Sequence, residues 1–461
     1  MGRRRRDSLG IEYIGGMKEE STAFAGLVVL LDVFRQAGVG ATAEQVLPQK
    51  RSPKGLTPGQ MVEAFVALSS LGGECPEDME RLRQDKGLEA LLGYRPPAPE
   101  TARQWLNGFH DESLMVGQPL QGSFIPAESG ALAGLREVNK RVIWAFVKAM
   151  NPDWEVTLDV DAHLVETDKA GALRCYEGYP AFQPIEVVWA ENLVVLADEF
   201  RQGNVPASKD IRRLVDEAYE ALPPGPWRVR VRSDSAAYDV KFLDHWNERK
   251  WEFAVSADMT PQLKAEIEKL PEDAWQMWKT EKGGVIRQWA EAPYVPSRKQ
   301  EKKDTQTYRY LAIRLRKQQG ELFADGVAVR HFAVVTNRWD MEGQALLEWH
   351  RGKAGTVEHV HHNLVNELGA GVYPSGKHGA NAAWLRLQVI THNVLQLMKA
   401  VALPPEYSKA RPKRLRFAVF THIGQLVRHA GRVFMRIGTE VLEQIIRPGR
   451  RRILAVAWDS G

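Results

Sequence analysis

Cysteine is scarce in this sequence. The chain of 461 residues holds two, Cys75 and Cys175, and neither belongs to a Cys-x-x-Cys pair. Two distant cysteines cannot build a disulfide framework, and a thiolate zinc site needs closely spaced pairs. The sequence therefore excludes a disulfide-stapled scaffold and a cysteine-based zinc site. It also offers no candidate catalytic cysteine and no Gly-x-Ser-x-Gly nucleophile elbow.

Long apolar runs are also missing. No stretch reaches the roughly 18 uncharged apolar residues that identify a candidate membrane helix. The basic start, Met1 to Arg6, resembles the charged end of a signal peptide. However, Glu19 and Glu20 separate it from the apolar run at 23–31, and no convincing cleavage site follows. We therefore expect an intracellular protein without a membrane span.

Net charge is low, at +4, but its distribution is uneven. From Lys409 to Arg452 there are twelve Lys and Arg residues against two acids, Glu440 and Glu443. A basic block of this kind suits a polyanionic partner, because phosphate contacts supply most non-specific affinity for nucleic acids. The alternative is a solvated tail or an ordinary exposed surface. The candidate phosphate-binding residues in this block are Arg411, Lys413, Arg414 and Arg416.

The order of apolar residues predicts a helical region followed by an α/β layer. In residues 1–150 the apolar side chains recur at helical spacing, Thr57-Pro-Gly-Gln60 has the pattern of a capping box, and one helical unit is predicted at 79–92. From Val156 the period changes to the alternation of a strand, and strands and helices then follow one another. Several short helices suit a DNA-binding module, but they suit other helical domains equally.

Acidic residues recur where the predicted strands end. Asp159 and Asp161 lie on one side of a strand, Asp234 ends another, and Glu358 lies in the first turns of a helix. Open sheets collect ligand-binding groups near strand ends, so these acids can meet. Converging carboxylates repel one another unless cations neutralise them, and hard oxygen ligands favour Mg²⁺ or Mn²⁺. The alternative is that the acids are solvated or cap helices.

Three stretches carry these acids: Leu158-Asp-Val-Asp161, Arg232-Ser-Asp-Ser235 and His350-Arg-Gly-Lys-Ala-Gly-Thr-Val-Glu-His359. Together they resemble the three catalytic blocks of DDE transposases, and they are most similar to the insertion-sequence-1380 branch of the insertion-sequence-4 superfamily. The tracts at 366–371 and 379–386 are also similar. The resemblance spans nearly the whole chain, and its third block is the most specific part.

This resemblance implies an α/β fold with a ribonuclease H-like catalytic core, in which helices flank a mixed sheet. It implies that Asp161, Asp234 and Glu358 bind two Mg²⁺ ions, with Mn²⁺ as a substitute, for phosphodiester displacement by water or a 3′-hydroxyl. Asp161 fits the family pattern for the first Asp, with His163 where the family has Thr. Asp159 stays open as the alternative first Asp.

The resemblance also implies the partners and the setting. The implied substrate is double-stranded DNA, both the terminal inverted repeats of an insertion sequence and the target. Synapsis of two ends implies at least a dimer, in a cytoplasmic, nucleoid-associated bacterial protein. Two alternatives stay open: a metal-dependent endonuclease without strand transfer, and a non-catalytic DNA-binding protein derived from a transposase.

Four segments follow from the pattern and the resemblance together. They are a helical N-terminal domain at 1–150 that binds DNA, a catalytic core at 151–254 and 326–400, a β-rich insertion at 255–325 that includes the polar run at 297–304, and a basic C-terminal segment at 401–461. Tryptophans cluster near the insertion, where they either stack on bases or, as is more common, pack in the core. These are Trp246, Trp251, Trp275, Trp278 and Trp289.

One part of the superfamily pattern is missing. The Tyr, Arg and Lys that often surround the Glu at fixed spacing are not reproduced, so Arg351 or Lys353 is the candidate phosphate contact instead. Glu358, His361 and His362 share a helix face, yet no cysteine and no His-Glu-x-x-His pattern supports zinc there. One of these histidines is expected near the phosphate or the metal ions.

Overall fold

The computed structural model describes residues 20–49, 54–119, 122–169, 171–281, 284–296, 307–317, 322–323, 326–430 and 432–458. The basic start at 1–6 and the polar run at 297–304 lie outside these residues.

The first part of the chain is helical. Its helices are α1 (Val28–Gln36), α2 (Val39–Val46), α3 (Pro58–Ser70), α4 (Met79–Gln84), α5 (Lys86–Leu92), α6 (Pro99–Asn107) and α7 (Gly130–Met150). The capping box is confirmed: Thr57 Oγ1 accepts from the Gln60 backbone N–H, and the Gln60 side chain accepts from the Thr57 N–H. The single unit predicted at 79–92 is wrong, because Asp85 leaves the helical conformation and caps α5 by accepting from the Leu88 N–H at 2.7 Å.

In the described part of the chain, a nine-stranded mixed sheet forms the centre of the molecule. Its strands are β2 (Glu155–Ala162), β6 (Ile185–Trp189), β7 (Val194–Glu199), β8 (Arg228–Ser233), β9 (Glu252–Ala257), β10 (Gln276–Thr280), β11 (Val285–Ala292), β12 (Arg309–Lys317) and β13 (Val329–Thr336). The strand order is β10-β11-β12-β13-β9-β8-β2-β6-β7. β8 lies between β2 and β9 and is parallel to both, whereas the other pairings are antiparallel.

The strands of residues 255–325 continue this sheet. After α10 (Pro261–Glu268), the strands β10 to β12 reach the core through β13, whose residue Ala333 is registered with Ala257 of β9. All five tryptophans of this region are buried, with exposed fractions of 8% or less. The interpretation of these tryptophans as core residues is therefore confirmed.

Helices cover the sheet and join it to the helical region. They are α8 (Ile211–Ala221), α9 (Val240–Glu248), α11 (Gly343–Arg351), α12 (Val357–Glu367) and α13 (His378–Val401). α13 is almost wholly buried. Its Asn393 accepts from the Val195 N–H at 2.9 Å and donates to Asn139 of α7 at 2.8 Å, so a buried polar network links α7 and α13 to β7.

Three short strands form a separate small sheet beside the core. They are β3 (Val165–Glu166), β4 (Leu173–Arg174) and β5 (Pro180–Phe182).

The basic C-terminal segment folds back onto the first helices. It contains α14 (Pro412–Leu415), the hairpin β14 (Gly424–His429) and β15 (Arg432–Ile437), α15 (Thr439–Val441) and α16 (Arg447–Ala455). β14 pairs with β1 (Ser21–Thr22), and Arg450 of α16 lies 2.6 Å from Asp32 of α1. Among the described residues no single helix could cross a membrane; the bent pair 25–36 and 39–46 passes by length and composition alone.

Candidate active site

Asp161 and Asp234 lie at the ends of neighbouring parallel strands. The register of β2 and β8 runs as far as Val160 beside Ser233, so Asp161 is the next residue of β2 and Asp234 is the first residue after β8. The Asp161 side chain is 18% exposed. Asp234 is exposed, and its Oδ1 accepts from the Ala236 N–H at 3.0 Å. The two carboxylates therefore occupy one edge of the sheet.

Asp159 lies on the same side of β2, but it is fully buried and paired. Nε and Nη2 of Arg232 donate to its two carboxylate oxygens at 2.7 Å each, and the Thr356 hydroxyl donates to Oδ2. Burial raises the pKa of Asp159, and the attraction of Arg232 opposes that rise. Arg232 also donates to the Trp349 carbonyl at 2.5 Å, so it fastens α11 to the strand ends.

The segment between α11 and α12 docks onto the same strand ends. His350 Nε2 lies 3.1 Å from the carbonyl oxygen of Ser233, and Lys353 Nζ lies 3.2 Å from Oδ1 of Asp161. Burial lowers the pKa of His350 to about 4, so the ring is neutral at pH 7 and donates to that carbonyl. The third sequence block thus contacts both strands, through His350 at the end of β8 and through Lys353 at Asp161 of β2.

Glu358 lies in the first turn of α12, and its side chain is exposed. One helical turn later, His361 lies 3.0 Å from Glu186, which is the register partner of Asp161 on β6. α12 therefore crosses the sheet beside Asp161. Among the described residues, Asp161, Asp234 and Glu358 are not close enough to form a compact ligand cluster.

A compact cluster does form from His163, Glu186 and His361. The ligand atoms of these three residues all lie within 4.8 Å of one another, a property unique to them among the described residues. Oε2 of Glu186 lies 3.3 Å from Nδ1 of His163 and 3.0 Å from Nε2 of His361. Burial alone would raise the pKa of Glu186, but the charges of the two histidines and their close polar contacts with the carboxylate lower it to about 2. The buried carboxylate is therefore ionised.

An open cleft of about 630 Å³ borders Asp234. Its polar lining residues include Gln183, Ser208, Asp234, Tyr238, Asp239 and Asp258. The cleft leaves the carboxylate of Asp234 accessible from solvent.

The residues predicted to contact DNA fall into two groups. Arg351, Arg411, Lys413 and Arg414 are exposed. By contrast, Lys353 is turned toward Asp161. Arg416 is also engaged inside the protein, since it donates to the carbonyls of Ser70 at 3.1 Å and Glu367 at 2.6 Å. Arg411 is partly engaged, with Nη1 at 2.8 Å from His362.

Arg232 and Glu186 were not among the predicted site residues. Glu186 interrupts the apolar run Ile185–Trp189, and a lone acid in a buried strand requires a partner, so this signal was readable. Arg232 ends the alternating run from Arg228, in which the pattern alone does not separate an exposed arginine from a buried one.

Comparison with known protein families gives a match over residues 15–452 to the model described as Transposase DDE domain group 1. A comparison with curated proteins gives no match. Among solved structures, the chain is similar to the cryo-EM structure of a piggyBac transposase synaptic complex with hairpin DNA. The two are 9% identical, with a TM-score of 0.43, and the similarity covers 86% of this chain and 79% of that chain. The family match includes all three sequence blocks and the four acids they carry.

Proposed function

This chain belongs to the DDE transposase family, and from that premise we propose that it cleaves DNA at the ends of a mobile element and joins the freed 3′ ends to target DNA. The observation that carries the proposal is the position of Asp161 and Asp234 at adjacent parallel strand ends, with the Glu358 helix docked beside them. We assign the element to the insertion-sequence-1380 branch on its third sequence block.

The donor set at this edge fits a hard divalent cation. Asp161, Asp234 and Glu358 would hold Mg²⁺, or Mn²⁺ in its place, through carboxylate oxygens. Asp234 and Glu358 are exposed, so their oxygens can reach a cation without breaking a buried pair. Asp159 differs, because Arg232 occupies both of its oxygens, and we therefore assign Asp161 as the first ligand. Two such ions, when bound, activate the attacking hydroxyl and stabilise the leaving oxygen.

The protein side chains around these acids position them and the DNA. His350 holds the backbone of Ser233 and so fixes the start of the turn that carries Asp234. Lys353 pairs with Asp161 when no cation is present. Once the carboxylate charge is shared with a cation, the ammonium of Lys353 can contact a phosphate oxygen. Arg351 is exposed two residues earlier and offers a second phosphate contact.

We propose that the core is ribonuclease H-like. The order β7-β6-β2-β8-β9 supports this, because an antiparallel meander of three strands is followed by two strands parallel to the first. In this arrangement β2 is central and carries Asp161. Its parallel neighbour β8 leads directly to Asp234.

We propose double-stranded DNA as the partner, bound as two element ends by at least two copies of the chain in the bacterial cytoplasm. The exposed basic residues Arg411, Lys413 and Arg414 lie close to α12, as the contact between Arg411 and His362 shows. A basic surface beside the acidic edge would hold the phosphate backbone near the cleavage site.

The proposal is tested with purified protein and the DNA that flanks its own reading frame, incubated in Mg²⁺. We compare wild type with Asp234→Asn and Glu358→Gln, and we use Asp168→Asn, an exposed acid on the same domain, as the matched control. Cleavage at the element boundary followed by joining, lost in both site variants and kept in the control, is the expected result.

Other outcomes separate the alternatives. Cleavage without joining to target DNA would favour a nuclease. Tight binding without cleavage by any version would favour a non-catalytic DNA-binding protein. Cleavage that survives Asp234→Asn would remove Asp234 from the site.

A further inference from the structure

His163, Glu186 and His361 come from three elements that meet below the sheet edge. His163 follows β2, Glu186 lies on β6 and His361 lies on α12. The Glu186 side chain is fully buried, and those of His163 and His361 are 14% and 10% exposed. The cluster therefore lies inside the protein, apart from the exposed carboxylates of Asp234 and Glu358.

Five polar atoms of this cluster make no aligned hydrogen bond, although Glu186 lies within ion-pair distance of both imidazoles. Within the described chain, neither carboxylate oxygen of Glu186 has a hydrogen-bond partner, and the same holds for both ring nitrogens of His163 and for Nε2 of His361. Buried polar groups in native proteins are nearly always satisfied, and a buried carboxylate is strongly unfavourable alone. The imidazole nitrogens approach the carboxylate closely without an aligned N–H, and one shared cation would satisfy all five atoms.

The distances within the cluster fit metal coordination. Zinc binds imidazole nitrogen and carboxylate oxygen at about 2.0–2.2 Å, which places neighbouring ligand atoms of a tetrahedron about 3.3–3.6 Å apart. The observed separations from Oε2 of Glu186 are 3.3 Å to His163, which is inside this range, and 3.0 Å to His361, which is slightly below it. Coordination requires lone pairs directed at one point, whereas a hydrogen bond requires an aligned N–H.

We propose that His163, Glu186 and His361 bind one divalent transition-metal ion of the zinc type, separate from the Mg²⁺ ligands at the sheet edge. Two imidazoles and one carboxylate suit Zn²⁺ better than Mg²⁺, which prefers oxygen. The ion compensates the charge of Glu186 and leaves both imidazoles neutral. Three protein ligands leave the fourth position to water.

The ion fastens α12 to β2 and β6. Glu358 lies one turn before His361 on α12, so coordination of the ion by His361 also orients the helix that carries Glu358. This effect on Glu358 rests on the proposed function, whereas the metal site itself does not.

The test uses full-length protein stripped of metal with a chelator and titrated with Co²⁺, whose visible absorption is strong in tetrahedral nitrogen and oxygen sites and weak in octahedral oxygen sites. We expect saturation at one equivalent per chain, displacement by Zn²⁺, and no displacement by excess Mg²⁺. Glu186→Gln and His361→Gln are expected to lose this absorption. The neighbouring exposed histidine gives a matched control, His362→Gln, which is expected to retain it.

Asp234→Asn and Glu358→Gln separate this site from the proposed catalytic one, because both are expected to keep full Co²⁺ absorption. Absorption that survives Glu186→Gln and His361→Gln, or that disappears in Asp234→Asn, overturns the proposal. If the cluster variants do not fold, the test uses the wild-type protein alone. We then compare the unfolding midpoint of the metal-free protein with and without Zn²⁺. The proposal predicts a higher midpoint with Zn²⁺, and an unchanged midpoint overturns it.

Discussion

The guanidinium of Arg232 donates to both carboxylate oxygens of Asp159 at 2.7 Å each, across two adjacent parallel strands. Two residues further along the same side of β2, Asp161 meets Lys353 instead. Neighbouring acids of one motif thus have different surroundings. The buried pair fixes the strands and α11, and the second acid stays at the accessible edge.

The Arg232–Asp159 pair predicts a large loss of stability in Asp159→Asn. Breaking a buried ion pair by removing one charge costs about 3–5 kcal/mol, because the other charge stays buried without compensation. The free energy of unfolding in urea measures this loss. Arg228→Gln is the control: Arg228 lies on the same strand, but its pair with Glu252 is exposed and contributes less than about 1 kcal/mol. Equal losses in the two variants would contradict the structural role of Asp159.

Lys353→Met is expected to have opposite effects on metal binding and on catalysis. Removing the cation 3.2 Å from Asp161 removes a competitor for the carboxylate, so Mn²⁺ should bind more tightly. Loss of the phosphate contact should lower the rate of DNA cleavage by about 10²-fold, as for other transition-state donors. Calorimetric Mn²⁺ titration and a single-turnover cleavage assay measure the two effects. Lys169→Met, an exposed lysine, should change neither, and weaker Mn²⁺ binding in Lys353→Met would refute the assignment.

His392 predicts a loss of stability in acid. Burial lowers its pKa to about 3, whereas the unfolded chain has a histidine pKa of about 6.5. Between these values the unfolded state binds the extra proton, so the free energy of unfolding falls as pH decreases below about 6.5, by at most about 1.4 kcal/mol per pH unit. His392→Gln removes this slope, and unfolding in urea from pH 7.5 to 4.5 measures it. The exposed His429→Gln should keep the wild-type slope; a constant difference between wild type and His392→Gln would count against burial of a neutral ring.

Removing positive charges from the basic C-terminal segment is expected to have two different effects, depending on whether the side chain is exposed or engaged inside the protein. Lys413→Ala with Arg414→Ala should weaken DNA binding for all sequences and reduce the salt dependence of affinity by about two phosphate contacts. Arg416→Ala should leave that salt dependence unchanged. It should instead lower the free energy of unfolding by about 1–3 kcal/mol, because it leaves the carbonyls of Ser70 and Glu367 without a donor. DNA binding over a salt series and urea unfolding distinguish the two, and a reduced salt slope in Arg416→Ala would contradict its internal role.

Local patterns predicted much of this fold and part of the site. The capping box at Thr57 and the strand around Asp161 depend on neighbouring residues, so they were readable from the sequence. The break at Asp85 was not predicted because the Asp85 carboxylate is held by two groups. It accepts from the Leu88 N–H, which caps α5, and from the hydroxyl of Thr22, which is distant in sequence. The pairing of Arg232 with Asp159 depends on the register of two strands that are far apart in sequence, which no periodicity reports.

The most direct test of the catalytic proposal is boundary cleavage by Asp234→Cys in Mg²⁺ and in Mn²⁺. A thiolate is a poor ligand for the hard Mg²⁺ ion and a better one for a softer transition metal. If Asp234 holds the catalytic cation, the variant will not cleave in Mg²⁺ and will regain part of its activity in Mn²⁺. Full activity of Asp234→Cys in Mg²⁺ would contradict the account.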